Sequence, residues 1–151
     1  MNLLYKSTRD AEKTVTASQA ILKGLADDGG LFVPVSIPKL PVSLGELKEM
    51  TYQEIAYIVM KEFLTDFTEE ELKSCIAKAY DSKFDTEEIA PLAKVEDAYY
   101  LELFHGATIA FKDMALSILP HLMITSARKN QVKNDICLLY TSPSPRDGLL
   151  S

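Results

Sequence analysis

Residues 101–120 read LELFHGATIAFKDMALSILP. An aromatic and branched run stops at His105 and Gly106. Apolar residues then return at Ala115, Ile118, Leu119 and Leu122, the spacing of one helical face. A strand therefore gives way, through a short loop, to a helix, and one ammonium, Lys112, stands at the mouth of that helix between Phe111 and Asp113. Upstream, PLAKVEDAYYLELF has the composition of one or two strands, and downstream NDICLLY would pass for another. Strand, loop, helix, strand is the signature of an α/β domain with a parallel sheet. Pro120 is expected to kink the helix, since it lacks a backbone donor and crowds the carbonyl of Leu116.

The chain before this unit reads differently. From Thr16, residues Ala17, Ala20, Ile21, Gly24 and Leu25 recur at helical spacing, and Thr16 with Gln19 has the form of a capping box. That helix stops at ADDGG, where Gly29 and Gly30 supply turn geometry. The three prolines of LFVPVSIPKLP forbid a helix and predict an extended, winding connection. Tyr52, Ile55, Val59 and Phe63 share one face of a second helix. Leu72, Cys75, Ile76, Ala79 and Tyr80 share one face of a third, with Thr68 and Glu71 as its capping box. Roughly the first 80 residues are thus expected to form a helical layer with a proline-rich crossing.

Composition limits the function classes. Of 151 residues, 47% are hydrophobic and 25% charged, the balance of a globular chain with one core. Sixteen basic against 22 acidic residues leave a net charge of −6, with no basic cluster beyond ARKNQVK, so nucleic acid is not an expected partner. No run reaches the roughly 18 apolar residues of a membrane span. The start MNLLYKSTRD lacks a secretory pattern, so a cytoplasmic location is expected. Two cysteines, Cys75 and Cys137, fit neither a disulfide framework nor a metal site, and Cys75 reads as a packed thiol.

Lys112 is the residue with chemical promise. In the first helical turn the unpaired N–H groups and the macrodipole disfavour a positive charge and favour Asp113. With burial against Phe111 and Ile109, such an amine is expected to lose its proton more readily and to attack a carbonyl, forming a Schiff base. Most lysines at helix starts are solvated surface groups, and spacing alone leaves both readings open. His105 divides the same way, between an anion or proton contact and a structural loop residue. Gly106 supplies backbone freedom under either reading.

As a string, ELFHGATIAFKD resembles the lysine motif of the threonine synthases, pyridoxal-phosphate enzymes of the tryptophan-synthase-β-like (fold-type-II) fold family. The resemblance also covers YKSTRD, ASQAILKGLADDGGLFVP and TYQEIAYIVMKEFL, in order, and runs from Leu3 to about Ile136. It implies that Lys112 carries pyridoxal 5′-phosphate, and that O-phospho-L-homoserine and water become L-threonine and phosphate in a lyase reaction of amino-acid biosynthesis. The resemblance implies a helical amino-terminal domain over residues 1–95 and the start of a PLP-binding α/β domain, incomplete, over 96–136. Family members more often have proline at Ala107 and glycine at Asp10. Neither position supplies the reacting amine.

After KNDI the resemblance stops. CLLYTSPSPRD, Cys137 to Asp147, looks like the translation of an adapter used in sequencing libraries, so residues 137–151 are expected to be a non-native tail. A Pro/Ser-rich flexible tail is the alternative that composition favours. The carboxylate loop, the glycine-rich phosphate cradle and the partner of the pyridine nitrogen belong, by resemblance, to sequence beyond Ile136. The polypeptide as written is accordingly expected neither to hold the cofactor stably nor to turn over, and the helix over 112–127 to lack cover for its apolar faces. Other expectations are a related fold-type-II enzyme, such as a threonine dehydratase, cysteine synthase or tryptophan synthase β chain, or a threonine-synthase-like protein that binds ligand without turnover. A small helical interaction module with a solvated Lys112 is a further alternative. Arg9 and His105 are candidate anion contacts by charge type alone, and the sequence leaves the oligomeric state open.

Overall fold

The computed structural model describes residues 2–134. Residues 135–140 of the strand-like segment NDICLLY and the tail 137–151 lie outside the described residues. The elements run β1 (Tyr5–Ser7), β2 (Thr14–Val15), α1 (Ala17–Lys23), β3 (Phe32–Pro34), α2 (Leu44–Leu47), α3 (Tyr52–Phe63), α4 (Glu69–Ala79), β4 (Leu92–Val95), β5 (Ala98–Leu101), α5 (Asp113–Leu116) and α6 (Leu119–Lys129).

Side-chain caps define where the helices of the amino-terminal part begin. Thr16, Ser43, Thr51 and Thr68 each accept the amide of the residue three positions on, and Gln19, Glu46, Glu54 and Glu71 each reach back to the cap amide. Each box satisfies two donors that a helix start otherwise leaves unpaired, and a Ser or Thr cap contributes about 1 kcal/mol. The boxes at Thr16 and Thr68 match the sequence expectation. Those at Ser43 and Thr51 obey the same pattern.

The helical layer with a proline-rich crossing expected over roughly the first 80 residues also contains a small antiparallel sheet, of order β2-β1-β3, which that expectation lacked. Tyr5 opposes Val15 on one side and Pro34 on the other, and Ser7 opposes Phe32. The first proline of LFVPVSIPKLP therefore lies in an edge strand, where its missing N–H costs no interior ladder bond. The strands are only two or three residues long, too short for alternation to reveal them. Their corner is closed by Asp28, whose Oδ1 accepts from Ser7 Oγ and from the Gly30 amide, both at 2.8 Å. These two bonds, the Gly30 amide above all, hold the Asp28 carboxyl below the usual carboxylate range. A Cβ on Gly30 would lie 2.1 Å from Ser7 Oγ, and Gly29 has φ +76°, so the two glycines of DDGG serve close approach and turn.

The core lies between α1, α4 and α6. Leu72, Cys75, Ile76 and Ala79 from α4 meet Ala17 from α1 and Leu122 from α6, with Ile118, Tyr80, Phe84 and Ile89 closing the ends. The Cys75 thiol is buried, 3.5 Å from Thr125 Oγ1, as a packed side chain. The expectation that the last helix would lack cover is corrected on one face only: α6 packs on α1 and α4 through Ile118 and Leu122, while Leu116 and Ile124 are exposed. Nor does Pro120 kink a continuous helix. The helix breaks at Ser117–Ile118, and Pro120 occupies the first turn of α6, where an N–H would have no intrahelical partner. No helix among the described residues is long and apolar enough to cross a membrane.

Beyond α4, β4 and β5 form a two-stranded antiparallel hairpin, with Leu92 opposite Leu101 and Val95 opposite Ala98. The parallel strand expected after the last helix lies outside the described residues. Leu92, Val95, Tyr99, Tyr100 and Leu101 are all exposed, in contrast to the packed helical layer.

Leu72 is 1% exposed, at the centre of this core. Leu72→Ala should lower stability by about 2–5 kcal/mol, through lost burial and the cavity left behind. Thr68→Ala should cost about 1 kcal/mol through the lost cap. Urea unfolding midpoints of the two variants check both magnitudes and their order.

Candidate active site

The loop between β5 and α5 is shaped by a glycine and an aspartate seven residues apart. Asp113, the first residue of α5, is 5% exposed, and its carboxylate folds back over the loop. Its Oδ2 accepts the Thr108 amide at 2.7 Å and its Oδ1 the Thr108 hydroxyl at 2.6 Å. The fold-back needs Gly106: a Cβ there would lie 2.5 Å from Asp113 Cβ and 2.6 Å from Oδ2. Between the two, Ile109 donates its amide to the Gly106 carbonyl at 3.0 Å and takes φ +61°. A β-branched residue pays a steric cost in that left-handed region, which the surrounding bonds must hold in place.

Lys112 follows directly. It caps α5 with helical φ −62° and ψ −23°, and its carbonyl accepts from Ala115 and Leu116 at 3.0 and 2.8 Å. Its side chain is exposed, and among the described residues its ammonium forms no ion pair. The sequence expectation of burial against Phe111 and Ile109 is not met, since these side chains are 66% and 73% exposed. The helix it heads is a single turn of four residues. What the fold gives Lys112 is a fixed backbone and a free amine.

Two further contacts tie this segment to the helical layer. Tyr80, at the end of α4, is buried with its ring edge-on to Tyr52, and its hydroxyl donates to the Met114 carbonyl at 2.8 Å. Burial holds that phenol strongly in its protonated, donating form. The second contact is His105. Its Nδ1 lies 2.5 Å from Asp85 Oδ1 and its Nε2 2.9 Å from Glu102 Oε2, and its carbonyl accepts the Asp85 amide at 3.1 Å. The two carboxylates, Glu102 foremost, raise the imidazole above its ordinary 6.5. Both ring nitrogens are thereby committed, which corrects the reading of His105 as an anion contact.

Arg9 is also engaged elsewhere. Its guanidinium donates to the Asp28 carbonyl at 2.9 Å at the sheet corner, and among the described residues no hydrogen bond or ion pair joins it to the Lys112 loop. The structure therefore brings His105 and Lys112 into one loop and leaves Arg9 outside it. Asp113, Thr108, Tyr80, Asp85 and Glu102 were not among the residues the sequence singled out. Tyr80 reads there only as one more position on an apolar face, and a partner 34 residues away leaves no local pattern.

A protein-family model described as "Threonine synthase N terminus" matches residues 4–80. The threonine synthase of Schizosaccharomyces pombe is 42% identical over 122 residues, which cover 78% of this chain and 24% of that protein. Threonine synthase-like 1 of Homo sapiens is 41% identical over 123 residues, covering 75% of this chain and 16% of that protein. Among solved structures, the PLP-bound threonine synthase from Brucella melitensis superposes with a TM-score of 0.77 at 30% identity, over 86% of this chain and 28% of that one. The chain spans about a quarter of the length of the curated threonine synthases it matches.

Gly106→Ala should force Asp113 out of its fold-back and cost about 1–3 kcal/mol by overpacking. Tyr80→Phe keeps the ring but leaves the Met114 carbonyl without its donor, at a cost of about 1–3 kcal/mol. Unfolding midpoints give the magnitudes. Amide exchange should rise over residues 106–113 in the first variant and around Met114 in the second, with protection across α1 and α4 unchanged.

Proposed function

Because the chain belongs to the threonine synthase family, we propose that the protein carrying it is a pyridoxal-phosphate-dependent lyase with Lys112 as the amine that holds the cofactor. Its reaction is the conversion of O-phospho-L-homoserine and water to L-threonine and phosphate. In this reading residues 1–95 are the amino-terminal domain and residues 96–136 open the cofactor-binding α/β domain, the division falling in the turn between β4 and β5. The small-molecule substrate is the partner.

The observation that supports this most directly is the Lys112 amine: exposed, unpaired among the described residues, and set on a backbone pinned by Asp113, Thr108 and Tyr80. An aldehyde needs an accessible amine that is not locked into an ion pair, and a reacting geometry needs a backbone that does not wander. The residues present fit that requirement. Pyridoxal 5′-phosphate, when bound, supplies the electron sink for negative charge at the substrate α-carbon. Lys112 Nζ would hold the cofactor and, as the free amine, would be the base that removes the α-proton and moves protons at the β-carbon. Phosphate leaves the γ-carbon and water adds at the β-carbon, so one water is consumed and one phosphate released per threonine formed.

A second reading is a threonine-synthase-like protein in which the same lysine holds the cofactor without turnover of phosphohomoserine; one relative carries the name threonine synthase-like 1. Both readings expect borohydride reduction with pyridoxal phosphate to leave a single pyridoxyl group on Lys112 of the full-length protein, and Lys112→Ala to remove it. Phosphate release from phosphohomoserine separates them: the first reading expects it and the second does not. A pyridoxyl group on another lysine overturns both.

A further inference from the structure

His105 joins its own segment, through Glu102 three residues before it, to Asp85, 20 residues away along the chain. Its backbone belongs to the loop that leads to Lys112. One ring nitrogen faces Asp85, in the segment after α4, and the other faces Glu102, directly after β5. The ring lies against Phe104, centroids 4.6 Å apart, and its side chain is 14% exposed, while the Asp85 carboxylate it meets is 73% exposed. Glu102 is itself fixed, its amide donating to the Pro91 carbonyl at 3.0 Å where β4 begins. The Asp85 amide in turn donates to the His105 carbonyl, so the contact to the helical side is made twice, once by backbone and once by side chain.

We propose that His105 is a positioning residue: its ring, oriented by Glu102 in its own segment and held by Asp85 in the segment after α4, latches the loop that ends at Lys112 onto the helical layer. This deepens the reading of Lys112 as the cofactor amine and rests on it. The latch acts through Lys112's backbone and touches no substrate.

Its dependence on pH follows from its chemistry. Only the imidazolium donates from both nitrogens, so only the charged ring satisfies both carboxylates. Among the described residues, the charged groups facing the ring are Glu102 and Asp85, both acidic, and no basic side chain opposes them. Pairing raises the imidazole above 6.5 in the folded loop. A group raised on folding stabilises fully below its unfolded value and loses that contribution as pH rises through the folded one. The latch is therefore closed in mildly acidic solution and opens at a midpoint above 6.5, when one carboxylate loses its donor.

Amide exchange over residues 106–112 of the full-length protein, corrected for intrinsic rates and followed from about pH 6 to about pH 9, reads the latch directly. Wild type should show a loss of protection with a midpoint above 6.5. His105→Asn, which keeps a hydrogen-bonding side chain without a titrating charge, should abolish the step. Asp85→Asn and Glu102→Gln, made singly, should each move the midpoint down toward 6.5. An unshifted midpoint in both carboxylate variants, or a step that survives in His105→Asn, overturns the proposal. Pyridoxyl labelling in the same samples tests the underlying reading separately. A label on Lys112 with an unchanged exchange step removes the latch alone, and a label elsewhere removes the role of Lys112 whatever the exchange shows.

Discussion

Tyr80 is the hinge pin on which the placement of Lys112 depends. Its ring is part of the core, edge-on to Tyr52 and tilted against Phe84, while its hydroxyl leaves the core to hold the carbonyl of Met114. One side chain therefore closes the carboxyl end of α4 and fixes the first turn after Lys112. A phenol suits this position because its body is apolar and its tip is a donor. Phenylalanine would satisfy the core and abandon the loop. The helical layer, built from four capped helices of which α4 is the most deeply packed, is thus the rigid part against which a short and otherwise weak segment is set.

That segment is weak by its own local preferences. Its helix is one turn, below the length at which helices hold themselves, and it contains a β-branched residue at positive φ. What makes it definite is a set of contacts on both sides of Lys112: Asp113 on Thr108, the bare Cα of Gly106 beneath it, and His105 between Asp85 and Glu102. Strain of this kind persists only where neighbours over-determine it, and it gathers where a side chain has to be presented in one direction. The residue so presented is an exposed amine.

Much of this was legible beforehand, and the limits are physical. Capping boxes are local, three residues wide, so Thr16 and Thr68 announced their helices and the 3.6-residue period named Leu72, Cys75 and Ile76 as core. The strands of the first sheet escaped because two or three residues are too few to show an alternation. The helix break at Ser117–Ile118 was misplaced to Pro120 because proline disrupts a helix interior but suits a first turn, and the pattern alone does not say which turn it occupies. At the site, Lys112, His105 and Gly106 were marked by the strand-to-helix change. Asp85 and Tyr80 were not, since contacts spanning 20 and 34 residues depend on how the chain returns, not on what stands beside them.

The two ends of the described chain make opposite demands on their surroundings. In the helical layer α4 buries Leu72 and Ile76 in the core, and the sheet corner at Asp28 satisfies its own donors. The β4–β5 hairpin does neither. It has two strands, with Tyr99, Tyr100 and Leu101 more than half exposed, and a lone two-stranded hairpin is marginal in water. Ile109 and Phe111, in the loop before Lys112, are exposed as well. The helical layer thus sets where Lys112 stands, while the hairpin and the loop beside it keep their large apolar side chains at the surface.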